Sequence, residues 1–257
     1  MIQDLTLERL TTVRKGRGAI SSGTGRFERQ VRVAVEDDWL GDLEALPPMR
    51  TTVGHDTSRT VIGRNNSPDI PFDRSINSYR GCEHGCIYCF ARPPHAYLGL
   101  SPGLDFETKL FAKRDALALL EKELRKSEYE AAPVAFGTNT DPYQPVERQR
   151  RITRGLIEVL DRANHPLTIV TKSSLVLRDL DILSSMAWRN LCSVAMNITT
   201  LDRDLARVMD PRAMTPARRV ETVRALAAAG LPVRVLVAPI IPAINDHEIE
   251  SILQASA

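Results

Sequence analysis

The chain has 257 residues, 43% of them hydrophobic and 26% charged, with a net charge of +2. This is a globular composition, long enough for one large domain or two small ones. It holds no run of about 18 apolar residues to span a bilayer, and its start, Met1-Ile2-Gln3-Asp4, lacks the basic-then-apolar layout of a secretory signal. So small a net charge excludes a general attraction to nucleic acid, leaving room only for a local patch.

Residues 1–60 read as a largely flexible N-terminal extension. Residues 15–26 are rich in Gly, Ser and Arg without apolar periodicity, the composition of a loose basic arm. The main domain is expected over residues 61–257, with a turn cluster at Asn65-Asn66-Ser67-Pro68-Asp69 near its beginning. Strands are predicted over 75–79, 134–136, 167–171, 192–198 and 233–237. Helices are predicted over 115–126, 151–162, 179–188, 216–229 and from 246 onward. Trp39 and Trp188 read as packing residues. Arg148, Arg150, Arg151 and Arg154 read as a solvated basic face at a helix start.

Strands alternating with helices of this length imply a parallel sheet, either doubly wound or closing toward a barrel. No G-x-G-x-x-G follows the first strand, which argues against a dinucleotide fold. In parallel α/β folds chemistry sits at the carboxyl ends of strands, so each candidate residue should follow a strand.

Four cysteines are too few for a disulfide scaffold. Three of them, Cys82, Cys86 and Cys89, fall within eight residues, directly after the first strand, in a C-x3-C-x2-C arrangement. Clustered thiols without an export signal point to a reducing compartment, the cytoplasm, and to a metal site. Three thiolates on a short loop can each take one iron of a 4Fe–4S cubane and leave the fourth iron open, as a catalytic centre needs. Gly81 and Gly85 let the backbone fold tightly there. A Cys3His zinc site using His84 or His95 is the alternative.

This motif, with aromatic Tyr88 just before the last cysteine, resembles that of the radical S-adenosylmethionine (radical SAM) superfamily. The polar segments Gly137 onward, Thr171-Lys172-Ser173, Asn197-Ile198-Thr199-Thr200, Asp210-Pro211-Arg212 and Ala238-Pro239 extend the resemblance to the subgroup containing spore photoproduct lyases and DNA repair photolyase-like proteins. Arg17-Gly18-Ala19 resembles the N-terminal arm of an uncharacterised bacterial branch. The resemblance implies a partial (β/α)6 barrel of parallel strands and a 4Fe–4S cluster held by Cys82, Cys86 and Cys89. It further implies S-adenosylmethionine contacted by Tyr88, Asp141, Lys172, Ser173 and Asn197. The implied reaction is reductive cleavage of S-adenosylmethionine to methionine and a 5′-deoxyadenosyl radical, followed by hydrogen abstraction from substrate. A flavodoxin- or ferredoxin-like reductant, a nucleic-acid substrate and no membrane complete the expected partners. A non-catalytic iron–sulfur or zinc-binding interaction protein is the competing expectation.

Two departures from that subgroup stand out. Where spore photoproduct lyases carry a hydrogen-donating cysteine after the second strand, this chain has Gly137-Thr138-Asn139. The spare Cys192 falls at the start of a strand, the wrong end, and reads as a buried apolar residue. Five of six βα units are counted, so the core is expected to be C-terminally truncated.

Overall fold

The computed structural model describes residues 16–24, 27 and 49–257. The N-terminal extension therefore lies largely outside the described residues, as does Trp39.

Among the described residues, nine strands form two sheets. The larger one contains β2 (Ile62–Arg64), β3 (Arg74–Ile76), β6 (Val134–Phe136), β7 (Leu167–Thr171), β8 (Cys192–Asn197) and β9 (Val233–Leu236), in that spatial order. β3, β6, β7, β8 and β9 run parallel, and β2 is antiparallel to β3. These are the five parallel strands expected for a partial α/β barrel. The smaller sheet was not foreseen: β5 (Lys109–Ala112) lies between β1 (Thr52–His55) and β4 (Tyr79–Arg80). The predicted strand over 75–79 is therefore split, its two ends serving different sheets. The Asn65 turn cluster is the loop of the β2–β3 hairpin, where the Asn65 amide donates to the Asp73 carbonyl at 2.8 Å and its side chain accepts from the Ser67 amide.

The predicted helices are present as α2 (Ala116–Leu124), α4 (Ile152–Arg162), α5 (Leu180–Trp188), α7 (Pro216–Ala228) and α8 (Ile249–Ser256). Three short ones were not predicted: α1 (Leu104–Thr108), α3 (Glu147–Arg150) and α6 (Arg203–Met209). α7 packs against β8 and β9, and α8 against α7.

Burial alternates along the strands, so the sheet has two different faces. Ile76, Val134, Phe136, Leu167, Ile169, Val194 and Met196 are buried in one core with Leu156, Leu160, Leu183 and Leu226 from the helices. The other face carries smaller side chains and borders a cavity lined by Ala135, Gly137, Thr168, Ser193 and Ala195.

Two expectations are corrected. Trp188, expected to pack, is 88% exposed at the end of α5. Arg154, expected on a solvated face, is tied to Asp179 at 3.0 Å and Asp181 at 2.8 Å. No helix among the described residues is long and apolar enough to cross a membrane.

Candidate metal and cofactor site

The cysteine loop follows β4, and its backbone is held from several sides. The buried Gln144 side chain spans it like a rung, accepting from the Glu83 amide at 2.9 Å and donating to the Gly81 carbonyl at 3.1 Å. The Cys82 amide donates to the Phe106 carbonyl at 3.0 Å, and the Ile87 amide to the Met209 carbonyl at 3.0 Å. On the far side the Arg212 amide donates to the His84 carbonyl at 3.2 Å, and its guanidinium to Glu83 Oε1 at 3.2 Å. Arg212 is thus an ion-pair partner of the loop.

The expected loose arm is corrected where it is described. Arg17 is buried, its guanidinium donating to the Glu107 carbonyl at 2.8 Å, the Met49 carbonyl at 2.8 Å and Thr51 Oγ1 at 3.2 Å. The Glu107 carboxylate is fully buried and accepts from the Gly18 amide at 3.1 Å, the Ala19 amide at 2.8 Å and Arg92 Nη2 at 2.7 Å. Arg92 also donates to the Cys86 carbonyl at 2.8 Å. Gly18 packs directly on the cysteine motif: a Cβ there would lie 1.7 Å from the Gly85 carbonyl oxygen. Gly85 itself takes φ +67°, a left-handed conformation that glycine adopts without cost. Residues 17–19 read as a loop composition because their partner, Glu107, lies some 90 positions away.

The five residues expected at S-adenosylmethionine take different parts. Tyr88 donates its hydroxyl proton to Asp210 Oδ1 at 2.5 Å and lies 3.2 Å from Thr199 Oγ1, tying the loop to the end of β8. Burial and the neighbouring Cys86 and Asp210 push its phenol upward, so it is neutral and a donor. Lys172 follows β7 and places its Nζ 5.6 Å from the Tyr88 ring centroid. Burial pushes its ammonium downward, but Cys86, Asp210 and Asp141 outweigh this and hold it protonated.

Asp141 is occupied by neighbouring elements. It accepts from Thr171 Oγ1 at 2.7 Å and from the amides of Lys172 and Tyr143, each at 2.8 Å, and sits 3.4 Å from His84 Nδ1. Burial pushes this carboxyl up; the His84 imidazole and the hydrogen bonds from the Lys172 amide and Thr171 Oγ1 overcome that and bring it to about 2. Ser173 caps the 3-10 turn Ser174–Asp179, accepting from the Leu175 amide at 3.2 Å. Asn197 donates to the Ala238 carbonyl at 2.8 Å and accepts from Thr199 Oγ1 at 2.9 Å, joining the ends of β8 and β9. Missed in the sequence were Gln144, Glu107 and Arg92, together with the buried ion pair of Arg219 with Asp210 at 3.0 Å.

The residues present fit a cluster better than a single ion. Cys82, Cys86 and Cys89 are free thiols on one loop. Among the described residues no three His, Cys, Asp or Glu side chains converge on one point as a single ion requires. A zinc needs all its sulfurs at about 2.3 Å, whereas a cubane takes one thiolate per iron. His84 Nδ1 lies 3.4 Å from Asp141 without a hydrogen bond, and His95 Nε2 lies 3.0 Å from the Lys109 carbonyl; neither ring converges with the three thiols on one point. Burial pushes the Cys82 thiol up to about 12 and Cys86 well above its ordinary value, so loading a metal here must release protons.

A parallel α/β sheet with a three-thiol loop beyond its first parallel strand defines the class: a partial α/β barrel with clustered thiols at its strand ends. The chain belongs to the radical SAM superfamily, whose family model matches residues 76–255. An uncharacterised protein of Mycobacterium tuberculosis is 41% identical over 181 residues, covering 70% of this chain and 53% of the relative. An uncharacterised Methanocaldococcus jannaschii protein is 26% identical over 178 residues, covering 67% and 62%. This chain spans about half the length of the mycobacterial relative. Among solved structures, spore photoproduct lyase complexed with dinucleoside spore photoproduct superposes with a TM-score of 0.53 at 18% identity, covering 79% of this chain and 53% of that one. A variant of the lyase gives 0.56 at 19%, covering 79% and 56%. At such identities the likeness is one of fold.

Proposed function

We propose that this chain carries the catalytic core of an enzyme that reductively cleaves S-adenosylmethionine and abstracts hydrogen from an organic substrate. The observation that carries this reading is Lys172. It is a protonated lysine with no ion pair among the described residues, placed at a strand end over Tyr88 and beside Cys86. Such a charge, held by Asp210 and Asp141 without pairing directly with either, suits a carboxylate arriving next to the cysteine loop. Cys82, Cys86 and Cys89 would hold the cluster, and Lys172 would receive the methionyl carboxylate. When bound, cluster and S-adenosylmethionine supply one-electron cleavage of the C5′–S bond. Asp141, Asn197 and Ser173 act as positioning residues, because their side chains bind strand ends and turns.

A nucleic-acid substrate is supported by the fold likeness to a lyase complexed with a dinucleoside lesion. An internal thiol as hydrogen donor is not part of the proposal. No cysteine follows β6, and Cys192 is buried at the start of β8, the end of the sheet away from the loop. The electron donor proposed is a flavodoxin- or ferredoxin-like protein.

The test is anaerobic reconstitution with iron and sulfide, reduction, incubation with S-adenosylmethionine and product analysis. The proposal expects about four irons per chain and formation of methionine with 5′-deoxyadenosine. One colourless metal per chain, or a full cluster without cleavage, supports the non-catalytic interaction protein.

A further inference from the structure

The face of the main sheet opposite the helices opens onto a cavity of 1090 Å³. Its floor mixes small side chains, Ala135, Gly137, Ser193 and Ala195, with the larger Thr168, Val170 and Leu236. Arg234 is the one charged residue that β6 to β9 add to it. It pairs in register with Ala195 and borders the cavity as an exposed residue. Its one hydrogen bond among the described residues is to Ser193 Oγ at 3.3 Å, and it has no ion pair there.

The opposite wall is also cationic, with Arg64, Arg80 and Lys113, and no Asp or Glu is found among the described lining residues. Arg80 is neutralised by Asp56 at 2.9 Å, and Arg64 lies 3.8 Å from Asp73. Lys113 has no carboxylate at ion-pair distance among the described residues, and burial pushes its ammonium downward against the distant pull of Asp56. A chain with a net charge of only +2 therefore concentrates unneutralised positive charge in this cavity.

The position of the cavity ties it to the chemistry. Gly81 and Ala91, which flank the cysteine loop, line it, as do the apolar rings of Phe72 and Phe106. Leu236 pairs with Asn197 at the rim, so Arg234 lies two residues, about 7 Å, deeper. That depth separates it from Lys172, which would meet the cofactor's only carboxylate. Arg234 is left for an anion belonging to something else. A guanidinium presents a planar fork that matches two oxygens of one phosphate, where an ammonium offers a point charge.

We propose that this cavity takes a phosphate-bearing organic substrate and that Arg234 reads its phosphate. The proposal rests on the radical SAM reading, since it places the substrate where hydrogen abstraction would occur. The phosphate could belong to a free nucleotide or to a phosphodiester within a strand; both share the chemistry that Arg234 recognises.

The experiment uses the reconstituted 257-residue protein and titration calorimetry with three probes: a dinucleoside monophosphate, its uncharged methylphosphonate counterpart and a nucleoside 5′-monophosphate. The expected result is binding of at least one phosphate-bearing probe about ten- to a hundredfold tighter than the methylphosphonate. Arg234→Gln should abolish most of that preference, and Arg234→Lys should restore part of it. Preference for the dinucleotide assigns a strand, and preference for the monophosphate assigns a free nucleotide. Equal binding of charged and uncharged probes overturns the proposal, as does Arg234→Gln with unchanged preference. If Arg234→Gln instead causes self-association with the preference intact, Arg234 is a guard on the β9 edge and the proposal also fails. Should Arg234→Gln fail to fold, shown by lost iron and near-ultraviolet circular dichroism, Lys113→Gln on the opposite wall must reduce the preference or the proposal falls. Wild-type protein that cleaves S-adenosylmethionine but ignores phosphate defeats this inference alone; wild-type protein that cleaves nothing defeats the reading beneath it.

Discussion

Lys172 and the three clustered cysteines carry the sharpest expectations at the scale of single residues. Replacing Cys82, Cys86 or Cys89 by Ala should each abolish stable cluster binding, because every thiolate would serve a separate iron. Cys192→Ala should retain full iron, since Cys192 lies buried at the start of β8; iron analysis after reconstitution decides both. Lys172→Ala should leave iron content intact and weaken S-adenosylmethionine by about 1.5–3 kcal/mol, or ten- to a hundredfold in dissociation constant. An unchanged constant would mean that the lysine merely closes the strand end. The cysteine loop and the strand-end place of Lys172 were legible because spacing and strand-end position are local facts. The parts played by Asp141, Ser173 and Asn197 were not. A polar residue at a strand end can face a ligand or a neighbouring strand, and here the partners are Lys172 N–H, Leu175 N–H and the Ala238 carbonyl.

At the scale of elements, the latch of residues 17–19 makes a prediction that composition alone would not. Gly18→Ala forces a methyl onto the Gly85 carbonyl and should pull both backbone amides from the buried Glu107. Overpacking of this kind costs about 1–3 kcal/mol. Urea unfolding of the apo-protein should show that loss, while the same substitution at exposed Gly23, which meets nothing within 4 Å, should show little. Asp141 predicts an acid response. Its folded value of about 2 lies below an unfolded value near 3.8. The carboxylate therefore stabilises fully above about pH 4, and that stabilisation is lost as pH falls toward 2. The difference is worth about 2 kcal/mol, so Asp141→Asn should flatten the acid limb of the stability profile. Legibility at this scale followed residue type. β7 and β8 announce themselves through Thr168-Ile169-Val170 and Val194, whereas the two-residue β4 and the mixed Lys109-Leu110-Phe111-Ala112 run of β5 carry no pattern that marks a sheet.

Across the whole molecule, the cationic cavity could not have been read from a nearly neutral chain, because it exists only once Arg64, Arg80, Lys113 and Arg234 are gathered from three strands and the residue after a fourth. The cysteine loop has a similar origin. Its backbone groups are satisfied by Gln144, Phe106, Met209, Arg92 and Arg212, none of which needs metal to be in place. The mould thus precedes the casting. Chain folding and metal delivery become separable events, and a molecule stripped by oxygen should remain a competent recipient rather than a substrate for disposal. Limited proteolysis of the stripped and refilled forms should cut at the same sites at similar rates, and refilling should proceed without denaturant. A stripped form cleaved rapidly within residues 81–92 would show instead that the inorganic core organises its own container.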